Sequence, residues 1–169
     1  MKKNYEARAT RFIESTLVKM FDGCTNYRDF TYAIDCYNSN HKRTLNWAHG
    51  VSRIAIIRSD YVVKVDYKPT GRWASGRAGN CESELEVYMQ AVADGMEHLL
   101  AKTTVLHMNG LTFSIMPRIN GIDDWSRNWT DHCTIEERIW LNDHVHDLRD
   151  GNVGYRRNKV CVVDYAWEV

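Results

Sequence analysis

Residues 145–169 read VHDLRDGNVGYRRNKVCVVDYAWEV. Asp147 and Asn152 lie in its polar first part, and Asp164 follows a run of small and β-branched residues, Val160 to Val163. Carboxylate and carboxamide oxygens are hard donors of the kind that hold Mg²⁺ beside phosphate. The segment NKVCVVDYA (158–166) has strand character, so the last acid is expected at the end of a strand. Only Trp167, Glu168 and Val169 follow it.

Working back from this stretch, IEERIWLNDHV (135–145) spaces Ile135, Ile139 and Leu141 as a helix does, with acids early. The Trp-bearing segment NGIDDWSRNWTDHCT before it (120–134) reads as loop with a short helix. TTVLHM (103–108) and LTFSIMPRI (111–119) flank Asn109-Gly110, a strong tight-turn dipeptide, and predict a hairpin. CESELEVYMQAVADGMEHLLA (81–101) repeats apolar residues at helical spacing. SRIAII (52–57) and YVVKVDY (61–67), separated by Arg58-Ser59-Asp60, predict an earlier hairpin. At the start, Ala9, Phe12, Ile13, Leu17 and Met20 predict a helix over 5–20, and a second helix is expected from about 27 to 37. The order is helices, hairpin, helix, hairpin, helix, loop, strand, an α+β chain.

Composition narrows the function classes. Twenty-two Lys and Arg balance 22 Asp and Glu, so overall charge indicates no nucleic-acid partner. No segment approaches a transmembrane length, no signal-like apolar stretch opens the chain, and a cytoplasmic location is the expectation. The five cysteines, Cys24, Cys36, Cys81, Cys133 and Cys161, are odd in number and never spaced C-x-x-C, which favours reduced thiols.

The element order resembles the nucleotide-binding core of protein kinases, and three motifs carry the resemblance. Val145-His146-Asp147-Leu148-Arg149-Asp150-Gly151-Asn152 is similar to the catalytic loop H-R-D-L-x-x-x-N, and Asp164-Tyr165-Ala166 to D-F-G. Tyr61-Val62-Val63-Lys64 is similar to V-A-I-K on the third strand of the kinase small lobe. The resemblance implies ATP and Mg²⁺ as ligands. Asp147 would accept or orient the proton of the substrate hydroxyl, Arg149 would face the transferred phosphate, and Asn152 and Asp164 would hold Mg²⁺. Lys64 would pair with a helix glutamate, for which Glu84 is the candidate and Glu82 and Glu86 are rivals. Gly50 and Ser52 stand where the phosphate-covering loop would fall, and a backbone N–H of Arg118 or Ile119 where the adenine would lie; an ordinary strand-entry turn fits Gly50 equally well.

The implied organisation is a helical extension over 1–44, a small lobe over 45–119 (two antiparallel hairpins plus a helix), and a truncated large lobe over 120–169. It is similar to small kinase-like proteins of bacteriophages, which implies a protein substrate or partner, including a host protein in the host cytoplasm. The extension is expected to cover apolar surface that the missing large-lobe helices would bury. The sequence departs from the kinase pattern in four ways: one glycine stands where kinases carry three, Val145 and His146 replace the histidine and the arginine of H-R-D, and Ala166 replaces the D-F-G glycine.

Two other classes compete. His144, His146 and Asp147 form H-x-H-D, close to the H-x-H-x-D-H of metallo-β-lactamase-like enzymes, but the acid comes one residue early and no histidine follows. His41, His49, His98, His107 and His132 show no ligand spacing. The other competitor is a pseudokinase or phage-type inhibitor that grips and blocks a host protein without phosphoryl transfer, for which the six Trp and nine Tyr would supply interface anchors.

Overall fold

In the computed structural model, which describes residues 4–67, 80–120, 128–145, 148, 150–157 and 159–165, alternation of apolar residues produces an antiparallel sheet. Its strands are β1 (Asn46–His49), β2 (Arg53–Ile57), β3 (Tyr61–Asp66), β4 (Thr104–Met108) and β5 (Leu111–Pro117), in the order β1-β2-β3-β5-β4. Asn109 and Gly110 both have positive φ, 51° and 74°, as the two central residues of a tight hairpin turn require. Both expected hairpins form. Strand β1 was not expected: it takes up Trp47 to His49 and leaves only Gly50 to Ser52 as the connection to β2.

The chain divides into two compact units, one of residues up to Cys81 with Thr104–Arg118, the other of Glu82–Thr103 with the residues from Ile119 on. In the first, register sets Ile54 opposite Val65, Ile56 opposite Val63, and Val63 and Val65 opposite Ile115 and Phe113. These six share one face because side chains alternate along a strand. Ala9, Ile13, Leu17 and Phe21, with Phe30 and Ile34, pack into the same core. Burial of each such side chain stabilises by roughly 1.5–3 kcal/mol, so covering this face is a main source of the unit's stability. The helical start therefore seals one side of the sheet, in place of the expected large-lobe surface, because an aliphatic stripe this wide cannot stay in water.

The first helical stretch runs as α1 (Tyr5–Phe12), a π-helical turn (Ile13–Leu17) and α2 (Val18–Met20). Its buried residues recur every four positions, and each such step overshoots a 3.6-residue turn by about 40°. A wider π turn absorbs that drift and keeps Ala9, Ile13, Leu17 and Phe21 in line. Helix α3 (Tyr27–Asn40) starts at an Asn26–Asp29 capping box, and Phe21 meets Phe30 with ring centroids 4.7 Å apart.

In the second unit, α4 (Cys81–Ala93) ends eight residues short of the expected 101. Gly95, at φ 73°, lets the Met96 amide reach back to the Ala91 carbonyl at 2.7 Å, the hydrogen bond that terminates a helix on glycine. Helix α5 (Ile135–His144) begins at a Thr134–Glu137 capping box. Its core face is Trp140 and Leu141, whereas Ile135 and Ile139, expected inside, are 69% and 56% exposed. Asp94 joins the two helices by accepting the Trp140 indole N–H at 2.8 Å, a bond that holds its carboxyl below the usual carboxylate range.

A second, two-stranded sheet pairs β6 (Val153–Arg156) with β7 (Lys159–Val162). Strand β6 was not expected. Val153, Val160 and Val162 join Val87, Leu99, Leu100, Trp140 and Leu141 in this unit's core. All five cysteines are free thiols, and burial pushes Cys161 up to about 12 and Cys133 up to about 11. Among the described residues, no helix is long and apolar enough to cross a membrane.

Candidate functional site

Lys64 lies on the sheet face opposite the aliphatic core. Its register partners are Ala55 on β2 and Ser114 on β5, and the row continues to Ala48 on β1 and Val105 on β4. Lys64 and Ser114 are both buried. A buried lysine is uncommon, and small neighbours on its flanks leave it as the longest side chain of its row. Beyond it, the Asp66 carboxylate accepts the Cys81 amide at 3.0 Å and the Cys81 thiol donates to the Lys64 carbonyl at 3.8 Å. Cys81, the last residue of the first unit's opening segment, is thereby tied to the lysine strand of the same unit.

The remaining candidates in this unit differ in what their backbone can offer. The Gly50 N–H donates to the Arg53 carbonyl at 2.9 Å, closing the β1–β2 turn, and the Tyr67 hydroxyl donates to the Gly50 carbonyl. Burial, with Tyr27 nearby, pushes the Tyr67 phenol up, so it stays a donor. A side-chain carbon added at Gly50 would meet nothing within 4 Å, so packing does not require glycine there. Ser52 is buried, and its carbonyl accepts the Tyr67 amide. The Arg118 amide donates to the Asp60 carbonyl at 3.1 Å, which leaves Ile119 as the donor of the expected pair not engaged in that bond.

In the second unit, Glu84 is fully buried on α4, whereas Glu82 and Glu86 are exposed. Burial thus separates the three rivals. A carboxylate enters a protein interior only with hydrogen-bonding or ionic company, and Glu84 has such company.

Asn152 and Asp164, twelve positions apart in sequence, come together through the β6–β7 hairpin. Asn152 closes a 3₁₀ turn (Asp150–Asn152) directly before β6, and Asp164 follows β7 by one residue. Val153 faces Val162, and the Val163 amide donates to the Asn152 carbonyl at 2.9 Å, extending the ladder one step past the strands. The hairpin therefore brings the backbones of a buried asparagine and a half-buried aspartate to the same open end. Two oxygen donors of this kind fit Mg²⁺, which usually keeps several waters and binds through one or two protein groups together with phosphates. Among the described residues, no group of three or more His, Cys, Asp or Glu could hold a metal ion.

Next to Asp164, the Tyr165 ring is buried and its hydroxyl donates to the Ala101 carbonyl. Thr103 completes this contact, with its Oγ1 at 2.6 Å from the phenol oxygen. Ala101 also donates its amide to the Val162 carbonyl at 2.8 Å, and Leu100 bridges Val162 in parallel. The other side of the hairpin is held by Asn120, whose carbonyl accepts the Tyr155 amide at 3.0 Å.

Asp147 and Arg149, with His146, lie outside the described residues. His144, the first histidine of the metal-hydrolase pattern, stacks on Trp140 at 4.5 Å and contacts the Trp140 carbonyl through Nδ1 at 2.9 Å. The site residues the sequence reading missed are Ala55, Ser114, Asp66, Thr103 and Tyr165's hydroxyl role. Strand register and non-local contacts define all five, and only the Tyr at the D-F-G aromatic position carried a local signal.

No family model and no curated protein matches this chain. Among solved structures it is similar to one titled as a medium-resolution structure of the bifunctional kinase-methyltransferase WbdD, at 15% identity and a TM-score of 0.44. The match covers 73% of this chain and 34% of that one, so the chain spans about a third of its length.

Proposed function

We propose that this chain is a kinase-like protein that binds ATP with Mg²⁺ and transfers the γ-phosphate to a protein hydroxyl, its own or that of a host protein in the cytoplasm. The observation that carries the reading is the Val163 amide bonded to the Asn152 carbonyl at 2.9 Å, which sets Asn152 beside the residue before Asp164 at one hairpin end. The buried Lys64 on the third strand supports it.

In this reading the protein performs little covalent work, and its task is to hold charges in place around the phosphates. Lys64 neutralises phosphate oxygens, and Glu84 is the buried helix acid of the kinase pattern. Asn152 and Asp164 would hold Mg²⁺, which would supply charge neutralisation on the phosphate oxygens. Asp147 takes the proton of the attacking hydroxyl as its oxygen bonds to the γ-phosphorus and the bond to the ADP oxygen breaks. Arg149 steadies the transferred phosphate. Ser52 contributes to the phosphate cradle, and the Ile119 N–H serves the adenine.

ATP with Mg²⁺ added to the purified chain is expected to raise its melting temperature, since ligand at a hundred times Kd stabilises by about 2.7 kcal/mol. Lys64→Ala and Asp164→Ala should each remove most of that rise and abolish label transfer from γ-labelled ATP. Absence of any shift under all metal conditions would end the nucleotide reading. A second reading, a nucleotide-binding protein that grips a host protein without transfer, is favoured by the exposed Ile135 and Ile139 on successive turns of α5. A melting shift without label transfer is its signature.

A further inference from the structure

The backbone around Asp164 is fastened on both sides. Before it, the Val163 N–H is spent on the Asn152 carbonyl at 2.9 Å, and the Val162 carbonyl accepts the Ala101 amide at 2.8 Å. After it, the Tyr165 hydroxyl lies 2.5 Å from the Ala101 carbonyl and 2.6 Å from Thr103 Oγ1. Tyr165, Thr103 and Ala101 are all buried, at 1%, 3% and 0% exposure, so water does not compete for these bonds.

Proton counting orders the network. A phenol has one hydrogen, and the carbonyl can only accept, so Tyr165 donates to Ala101. The Thr103 hydroxyl then donates to the phenol oxygen, and its own 3.4 Å approach to the Ala101 carbonyl is the weaker option. Every hydroxyl is satisfied. The same carbonyl-and-amide pair of Ala101 thus grips the chain at Val162 and again at Tyr165, with Asp164 between.

We infer that Tyr165 is a positioning residue: its hydroxyl, held by Ala101 and Thr103, latches the segment 162–165 and fixes the backbone that carries Asp164. A phenylalanine, the aromatic of the D-F-G pattern, would fill the same core space and lack the latch. The job given to Asp164 rests on the proposed phosphotransfer reading, whereas the latch itself rests on the network above.

The test uses the full chain with Tyr165→Phe, Thr103→Val and Thr103→Ser. Hydrogen exchange of the Val163 and Ala101 amides is expected to quicken about tenfold in Tyr165→Phe, the effect of losing a buried hydrogen bond, while the sheet amides of Ile56 and Val63 keep wild-type rates. Thr103→Val should give part of that acceleration and Thr103→Ser should restore protection. In ATP titrations, Tyr165→Phe should raise the Mg²⁺ concentration needed for half-maximal binding about fivefold, with little change in binding at saturating metal. Unchanged exchange at Val163 and Ala101 would overturn the latch, as would equal acceleration of every amide, which marks general destabilisation. If the wild-type chain binds no ATP with Mg²⁺, the phosphotransfer reading falls, and the exchange rates alone decide the latch.

Discussion

The two faces of the five-stranded sheet are made by the same strands and could hardly be more different. On one, Ile54, Ile56, Val63, Val65, Phe113 and Ile115 form a continuous aliphatic surface under the N-terminal helices. On the other, the row Ala48, Ala55, Lys64, Ser114, Val105 is short, mixed and built around a buried charge. The first arrangement is what burial energy alone selects. The second is not, because a lysine flanked by alanine and serine yields little packing and costs desolvation. A period of two thus lets one strand serve stability with Val63 and Val65 and set Lys64 on the other face, where the proposed function uses it. Substitutions on the two faces should therefore fail in different assays.

The largest effect should come from stripping the apolar face. A chain beginning at Leu45 loses Ala9, Ile13, Leu17, Phe21, Phe30 and Ile34 from the core, and is expected to lose cooperative unfolding and to aggregate. A sharp unfolding transition in that shortened chain would break the comparison, since the helices would then be ornament. Phe113→Ala, at a fully buried position on the same face, should cost about 3–5 kcal/mol in denaturant unfolding. It should leave ATP affinity unchanged per folded molecule.

On the lysine face the expectation reverses. Ala55 is half-buried and opposite Lys64, so Ala55→Leu adds bulk beside the lysine without entering the aliphatic core. We expect ATP binding weaker by about tenfold, roughly 1.4 kcal/mol, by calorimetric titration, and unfolding free energy within about 1 kcal/mol of wild type. A stability loss as large as that of Phe113→Ala, with binding intact, would mean that both faces are structural.

The same contrast explains what could be read in the sequence. Lys64 and its strand were visible because alternation over 61–66 is local, as were the Asn109-Gly110 turn and the helical spacing of 5–20. Strand β6 was invisible: Val153-Gly154-Tyr155-Arg156 has no alternation, and its strand state comes from β7 on one edge and Asn120 on the other. The D-L-x-x-x-N and D-Y-A motifs named Asn152 and Asp164, but their adjacency needed that unseen hairpin. Helical spacing in the sequence runs past the end of α4, although Asp94-Gly95 marks it, because Leu99 and Leu100 continue the apolar rhythm while packing from a 3₁₀ turn. Ile135 and Ile139 mimic a core stripe, and only contacts reveal that Trp140 and Leu141 hold the inward side. Periodicity reports that a face exists, and the tertiary partners decide which one is covered.

The smallest effect sharpens the account of the covered face, because it sits where the second covering helix begins. Asn26 Oδ1 accepts the Arg28 and Asp29 amides, and Asp29 Oδ2 accepts from the Thr25 amide at 2.9 Å, the Asn26 amide at 3.3 Å and the Thr25 hydroxyl at 3.1 Å. Removing the cap by Asn26→Ala should cost about 1 kcal/mol at pH 7 in denaturant unfolding. The bonds from Thr25, first among the causes, hold the Asp29 carboxyl below its ordinary value. A carboxyl lowered on folding stabilises fully above the unfolded value, about pH 3.9, and loses that contribution as pH falls through the folded one. Asp29→Asn should therefore shallow the acid limb of the stability profile below about pH 4 and leave its slope above pH 5 unchanged. If the acid limb were identical in both proteins, the anchor of α3 on the sheet would have to be sought in Phe30 and Ile34 alone.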